Sequence, residues 1–287
     1  MTAPARTRRQ WVTLGLGAVV LAALCVAAAF WQWHRYTARE TQIHLAEQNY
    51  GADPVAVGEV LPGPGAVLAE DDLWRPVTLT GTYRVEDTVL LRNRPVASAP
   101  GFHVLVPFED RSGIVVVVDR GFVPDGEDSA RPDSVPAPPA GEVTVTVTLR
   151  ADEPDATRGA PAQQVQAIST AQVLAAGPSG AAWAQGRTVG AYGQLRSEDP
   201  APERALGALP LPDLDPGSHL SYTVQWAVFA TGALGGYVLL WRRETRGSAP
   251  TAGDLLVAAG QSDRAPRDLR RRPPTDEELE DALVGED

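Results

Sequence analysis

Two uncharged apolar runs, one near each end, set what this chain can become: Val12–Trp31 and Tyr222–Trp241, each 20 residues long. At 1.5 Å rise per residue such a run spans about 30 Å as a helix, the thickness of the hydrocarbon core of a bilayer, where a helix satisfies its own backbone groups. Between the runs the sequence is polar, acidic and broken by Pro and Gly. The fold class that follows is a membrane protein: two transmembrane α-helices flanking a mainly β (α+β) extracytoplasmic domain. A cleaved signal peptide is the competing reading of the first run, because Arg6, Arg8 and Arg9 precede it and Ala27 and Ala29 offer an A-x-A site. The run is longer than most signal cores, and Trp31, Trp33 and Tyr36 make the aromatic belt of a retained helix end.

Charge sets the orientation. Arg242, Arg243 and Arg246 follow the second run, whereas residues 205–220 before it hold no Arg or Lys. The positive-inside rule puts that end in the cytoplasm, and two spans bring the N-terminus to the same side, although Arg35 and Arg39 weaken the contrast at the first span. The expected organisation is a cytoplasmic N-terminus (1–11), a first transmembrane helix (12–33), an extracytoplasmic β-rich domain (34–218), a second transmembrane helix (219–241) and a disordered cytoplasmic tail (242–287), multi-pass in the plasma membrane. The tail carries a basic cluster, Arg270–Arg272, and a short helical pattern at Glu277–Leu283.

A net charge of −11 with no basic patch outside the membrane flanks argues against nucleic-acid binding. All 25 basic residues are Arg, which reads as a composition bias. The one cysteine, Cys25, lies within the first span, so the exposed domain has no disulfide, no C-x-x-C-H haem attachment and no paired-Cys metal site. A thiol-based copper chaperone is thereby disfavoured.

In the centre, helix formers without a breaker carry the first helix on to about Gln48. Gly51–Gly65 reads as loop. Strands are expected at Arg75–Tyr83, Thr88–Asn93, Phe102–Phe108, Gly113–Asp119 and Glu142–Arg150, each bounded by turn residues. Val143, Val145, Val147 and Leu149 alternate with three threonines, which implies one buried and one wet face; IVVVVD is apolar on both faces and should be central. Pro124–Ala140 reads as a long loop, residues 151–165 as loop, Ser169 as the N-cap of a helix through Ala176, Thr188–Leu195 as a last strand, and Pro200–Gly217 as a connector.

The chemistry gathers at the mouth of the second span, in HLSYTVQW from His219 to Trp226. Polar and ionisable groups there are costly and mark a site. At about 100° per residue His219, Tyr222 and Trp226 share a stripe that suits a flat ligand. Gln225, Gly232 and Gly236 fall on an adjoining stripe with a GxxxG pair for close helix packing. The plainer alternative makes Tyr222 and Trp226 interfacial anchors and His219 a solvated flank. His34 follows the first span as His219 precedes the second, so both belong at the outer membrane surface and face each other if both meet one iron, neutral imidazole being a usual axial haem ligand; otherwise His34 sits in the aromatic belt. No H-E-x-x-H, G-x-S-x-G or P-loop pattern occurs, and Asp71, Asp72, Glu109 and Asp110 stand at turn positions that suit solvated acids. Binding or assembly is favoured over hydrolysis or transfer.

Several stretches together are similar to one family: VTLTGTY, R-N-R at Arg92–Arg94, GFHVLVPF at Gly101–Phe108, VDRGFVP at Val118–Pro124 and HLSYTVQW at His219. In order, and over about residues 12–243, they resemble the Surfeit locus protein one family, assembly factors of haem–copper cytochrome c oxidase. The resemblance implies a protein that is not an enzyme and that helps install haem a in the catalytic subunit of the oxidase, working as a chaperone with that subunit, other assembly factors and the lipid bilayer as partners. It implies His219 as the metal (haem iron) ligand, with Tyr222, Gln225 and Trp226 in matching places. Arg120 suits either a haem propionate or a salt bridge inside the domain. Where the family usually has Asn before the R-G pair this chain has Asp119, a change expected to matter little. Gly81 and Gly121 are expected at strand ends, where close backbone approach or positive φ is useful. The rival reading is a haem-free membrane scaffold that stabilises an oxidase subunit during assembly; a sensor with a cytoplasmic output tail is a third.

Overall fold

The computed structural model describes residues 6–127 and 130–247, so the tail beyond Gly247 lies outside the described residues. The chain divides into two compact units, Gln32–Leu220 and the terminal stretches Met1–Trp31 with Ser221–Asp287.

Helix α1 (Arg8–Tyr50) runs unbroken through the first apolar run and beyond it, as a stretch without Gly or Pro from Trp31 to Tyr50 allows, and ends at Gly51. The Gly51–Gly65 segment is not all loop: it holds a two-residue strand β1 (Val55–Ala56) and a single turn α2 (Val57–Val60). Then come β2 (Pro76–Tyr83), β3 (Val89–Leu91), β4 (Gly101–Asp110), β5 (Val115–Pro124) and β6 (Val143–Ala151). β7 (Gln164–Val165), α3 (Thr170–Ala176) and β8 (Thr188–Asp199) complete the domain. Ser169 caps α3, its Oγ accepting from the Gln172 amide at 3.4 Å.

Five of the strands close on themselves. β2 pairs with β6, β6 with β8, β8 with β5, β5 with β4, and β4 returns to β2; only β5 and β8 run parallel. Closure removes the open edges that invite aggregation. Gly81 is the seam, opposite Val143 on one side and Asp110 on the other. A Cβ there would stand 2.0 Å from the Glu109 carbonyl oxygen, so close approach does require glycine, although the residue lies within β2 and not at its end. Gly121, likewise inside a strand, has φ +149 and faces Leu206.

The ring encloses the main core. Val143, Val145, Val147 and Leu149 point inward with Phe102, Val104, Val106, Phe108, Val116 and Val118. Full burial of each such side chain contributes about 1.5–3 kcal/mol. Of the three threonines of β6, Thr144 is exposed and bonds Thr80 at 3.1 Å, but Thr148 is buried. β5 is interior and apolar on both faces as its sequence requires: Val117 lies outside the ring with Leu105, Ile168, Val173 and Tyr192, beneath α3. It runs five residues past Asp119, which carries the R-G pair into the sheet.

The other unit holds the apolar part of α1 and most of α4 (His219–Gly247), both long and apolar enough to cross a membrane. Ala22, Cys25 and Ala230 are buried between them with Trp226 and Ala233 alongside. Tyr237 donates from its hydroxyl to the Trp11 carbonyl at 3.3 Å, with the Tyr237 hydroxyl 3.0 Å from where a Gly15 Cβ would be. The contact stripe of α4 is therefore Trp226, Ala230, Ala233 and Tyr237. Gly232 and Gly236, the expected packing pair, have nothing within 4 Å of an added Cβ. Large side chains at Trp226 and Tyr237 fill the gap between helices, and the glycine that admits one of them is on α1.

Candidate functional site

His219 opens α4, half-buried, with Nδ1 3.0 Å from the Gln32 Oε1 of α1. An amide oxygen only accepts, so Nδ1 is the donor in this bond. That is the arrangement of a histidine that binds a metal through Nε2 while its other nitrogen is held by a neighbour. The connector is pinned just before it: Arg39 donates to the Asp213 carboxylate at 2.7 Å, to the Asp213 carbonyl at 2.9 Å and to the Asp215 carbonyl at 3.1 Å. Gly217, at φ +70, then turns the chain into the helix.

His34 is exposed and lies two residues past Gln32, about 200° round the helix. The structure brings His219 to Gln32. Tyr222 and Gln225 are exposed on α4, and Trp226 is half-buried in the helix contact, edge-on to Phe229 at 5.8 Å.

Arg120 is inside the domain. Its Nη2 donates to Glu198 Oε1 at 2.6 Å, its Nη1 to the Pro136 carbonyl at 3.3 Å, and its Cζ stands 5.2 Å from the Tyr83 ring centroid. Tyr83 donates to the other Glu198 oxygen at 2.9 Å. Of the two roles expected for Arg120, this geometry is that of the internal salt bridge.

The sequence reading missed a second constellation, on the outer face of the ring. Strand alternation puts His103 (β4), Asp119 (β5), Tyr192 and Gln194 (β8) and Arg150 (β6) on that face, and a β-bulge between His103 and Leu105 sets where the histidine emerges. His103 Nδ1 meets Asp119 Oδ2 at 2.8 Å, and both residues are only 3% exposed. Asp119 is thus no bystander in its motif. Burial pushes its carboxyl above the ordinary carboxylate range, against the pull of His103, the Gly121 amide and Arg94. Arg94, from the R-N-R stretch, clasps Glu153 at 2.7 and 3.0 Å. Burial works to raise the Glu153 pKa, but the bonds from Arg94 and the Ile168 amide outweigh it and the carboxyl is lowered. The Arg150 Cζ lies 3.4 Å from the Trp74 ring centroid, and burial lowers the guanidinium pKa. Burial also pushes the Tyr192 phenol up to about 12. A cavity of about 520 Å³ opens onto these side chains. Its signal was legible in principle: a histidine and an aspartate each embedded in an otherwise apolar strand.

A ring domain, a cavity with convergent polar side chains and two helices of membrane-spanning length define the architecture. A model of the SURF1 family matches residues 19–231, and the chain belongs to that family. Uncharacterised SURF1-like proteins of Mycobacterium bovis and Mycobacterium tuberculosis are 36% identical to it over 274 residues, covering 90% of this chain and 95% of each relative.

Proposed function

We propose that the protein is a membrane-bound assembly factor for haem–copper cytochrome c oxidase that assists haem a insertion into the catalytic subunit, with its termini in the cytoplasm and its ring domain outside. Family membership supports the oxidase context, and the two apolar helices support a place in the membrane. The observation that carries the haem step is His219, whose Nδ1–H is held by Gln32. Bound haem would supply an iron with affinity for an imidazole nitrogen. His219 offers that nitrogen, Gln32 accepts from its Nδ1–H, and the next turns of α4 carry Tyr222, Gln225 and Trp226. In this reading the protein hands over a cofactor and performs no turnover chemistry.

Use of Trp226 in the contact between the two helices favours the scaffold reading, in which the α4 stripe holds helices together and no haem is bound. The two readings part at His219. In a strain deleted for the gene, His219→Ala expressed at wild-type level should fail to restore haem a in membrane-extracted oxidase if the residue receives haem. Full restoration would leave the scaffold.

A further inference from the structure

The cavity on the outer face of the ring has two unlike walls. One is apolar, from Leu45 and Ala46 of α1 together with Leu73, Trp74, Pro210 and Leu211. The other is the polar set Arg94, His103, Asp119, Arg150 and Tyr192. At about 520 Å³ it falls in the range of small-molecule sites, about 300–1,000 Å³.

Two polar atoms on that second wall that suit an acceptor are buried with no hydrogen-bond partner: His103 Nε2 and Arg150 Nη1. Leaving such atoms unmatched is costly, and native structures seldom do so without a reason. The charges do not balance either. Arg94 is matched by Glu153, and Asp119 is engaged by His103. Arg150 has no carboxylate within 4.0 Å among the described residues; the Tyr192 hydroxyl and the Trp74 ring meet it instead. Trp74 is itself held at φ +68, a conformation that a bulky residue seldom adopts and that occurs at ligand clamps.

We propose that this cavity binds a small organic carboxylate with a flat apolar body, the carboxylate accepting from Arg150 and His103 and the body lying against Trp74, Leu73 and Leu211. A carboxylate supplies the missing negative charge and the acceptors that the guanidinium fork and the imidazole lack. The apolar wall excludes a bare inorganic anion as the best occupant. The site stands whether or not His219 meets haem, because none of its residues belongs to the HLSYTVQW stretch.

The test is equilibrium dialysis of 2-naphthoate against the full chain in lipid nanodiscs, with empty nanodiscs as blank and uncharged 2-naphthalenemethanol as the matched probe. Saturable binding of the naphthoate, at least tenfold tighter than the alcohol, is expected. Arg150→Gln should weaken naphthoate binding at least tenfold while leaving the alcohol unchanged, and Arg150→Lys should recover part of the loss. Should Arg150→Gln fail to fold, the comparison of the two probes on the wild type decides alone. No saturable binding of naphthoate, equal binding of both probes, or a folded Arg150→Gln that binds as wild type would overturn the proposal.

Discussion

Replacing Arg120 by Gln should destabilise the domain's interior and not merely empty a ligand site. The Arg120 and Glu198 side chains are 1% and 5% exposed, so the pair is buried in full. The variant leaves Glu198 as a buried carboxylate with only Tyr83 to answer it, and takes the guanidinium from the Pro136 carbonyl and the Tyr83 face. Removing one partner of a buried ion pair costs about 3–5 kcal/mol. For a domain of this size each kcal/mol moves the melting temperature by about 2–4 °C, so a fall of roughly 6–20 °C is expected. Circular dichroism melts of the detergent-purified protein measure it. The double variant Arg120→Met/Glu198→Leu should regain most of the loss, since no uncompensated charge remains. An Arg120→Gln protein that melts within about 2 °C of wild type would refute the structural reading, and loss of a bound carboxylate ligand with stability intact would return Arg120 to a propionate role.

Gly81→Ala drives a Cβ into the Glu109 carbonyl oxygen at the seam and forces β2 and β4 apart, so a loss of roughly 3 kcal/mol or more is expected in urea unfolding; a wild-type midpoint would contradict the closed ring. Asp119→Asn bears on pH. Burial raises the Asp119 pKa above its ordinary 3.8, with His103, Arg94 and Arg150 nearby, so the folded state keeps a proton that the unfolded chain has lost and stability falls as pH rises through that window. Asparagine keeps a hydrogen bond with His103 and carries no such cost, so its advantage over wild type should grow as pH rises above the ordinary carboxylate range; parallel pH profiles would contradict this. Gln32→Leu frees the His219 ring and should lower any haem affinity about 10–100-fold without changing the melt of the ring domain. Unchanged affinity would remove Gln32 from the site.

Where the sequence pattern is long and regular, fold and expectation agree. The β6 alternation, the doubly apolar β5, the Ser169 cap and the continuation of α1 to Tyr50 are all local signals, set by period and propensity. The ring is different, because its closure depends on β2 changing partner at Gly81, and no local pattern announces which strands meet. β1, α2 and β7 are too short to carry a period. In the unit of the two apolar helices the GxxxG spacing was the stronger motif, yet the contact went to Trp226 and Tyr237, since a large side chain against Ala22, Cys25 or Gly15 fills space as well as paired glycines do. His219 stands out in the sequence as a polar residue at the start of an apolar run, while its bond to Gln32 does not. The His103–Asp119 pair does not stand out either, because each partner sits in a different strand and their meeting is a matter of register and one bulge.

The most direct test of the central claim is the visible absorption spectrum of the protein purified in detergent from cells that make haem a, wild type beside His219→Ala. A haem spectrum in the wild type that is lost in a folded His219→Ala protein is the predicted result. No haem in either, with haem a abundant and the protein intact, would contradict the carrier account and leave the scaffold.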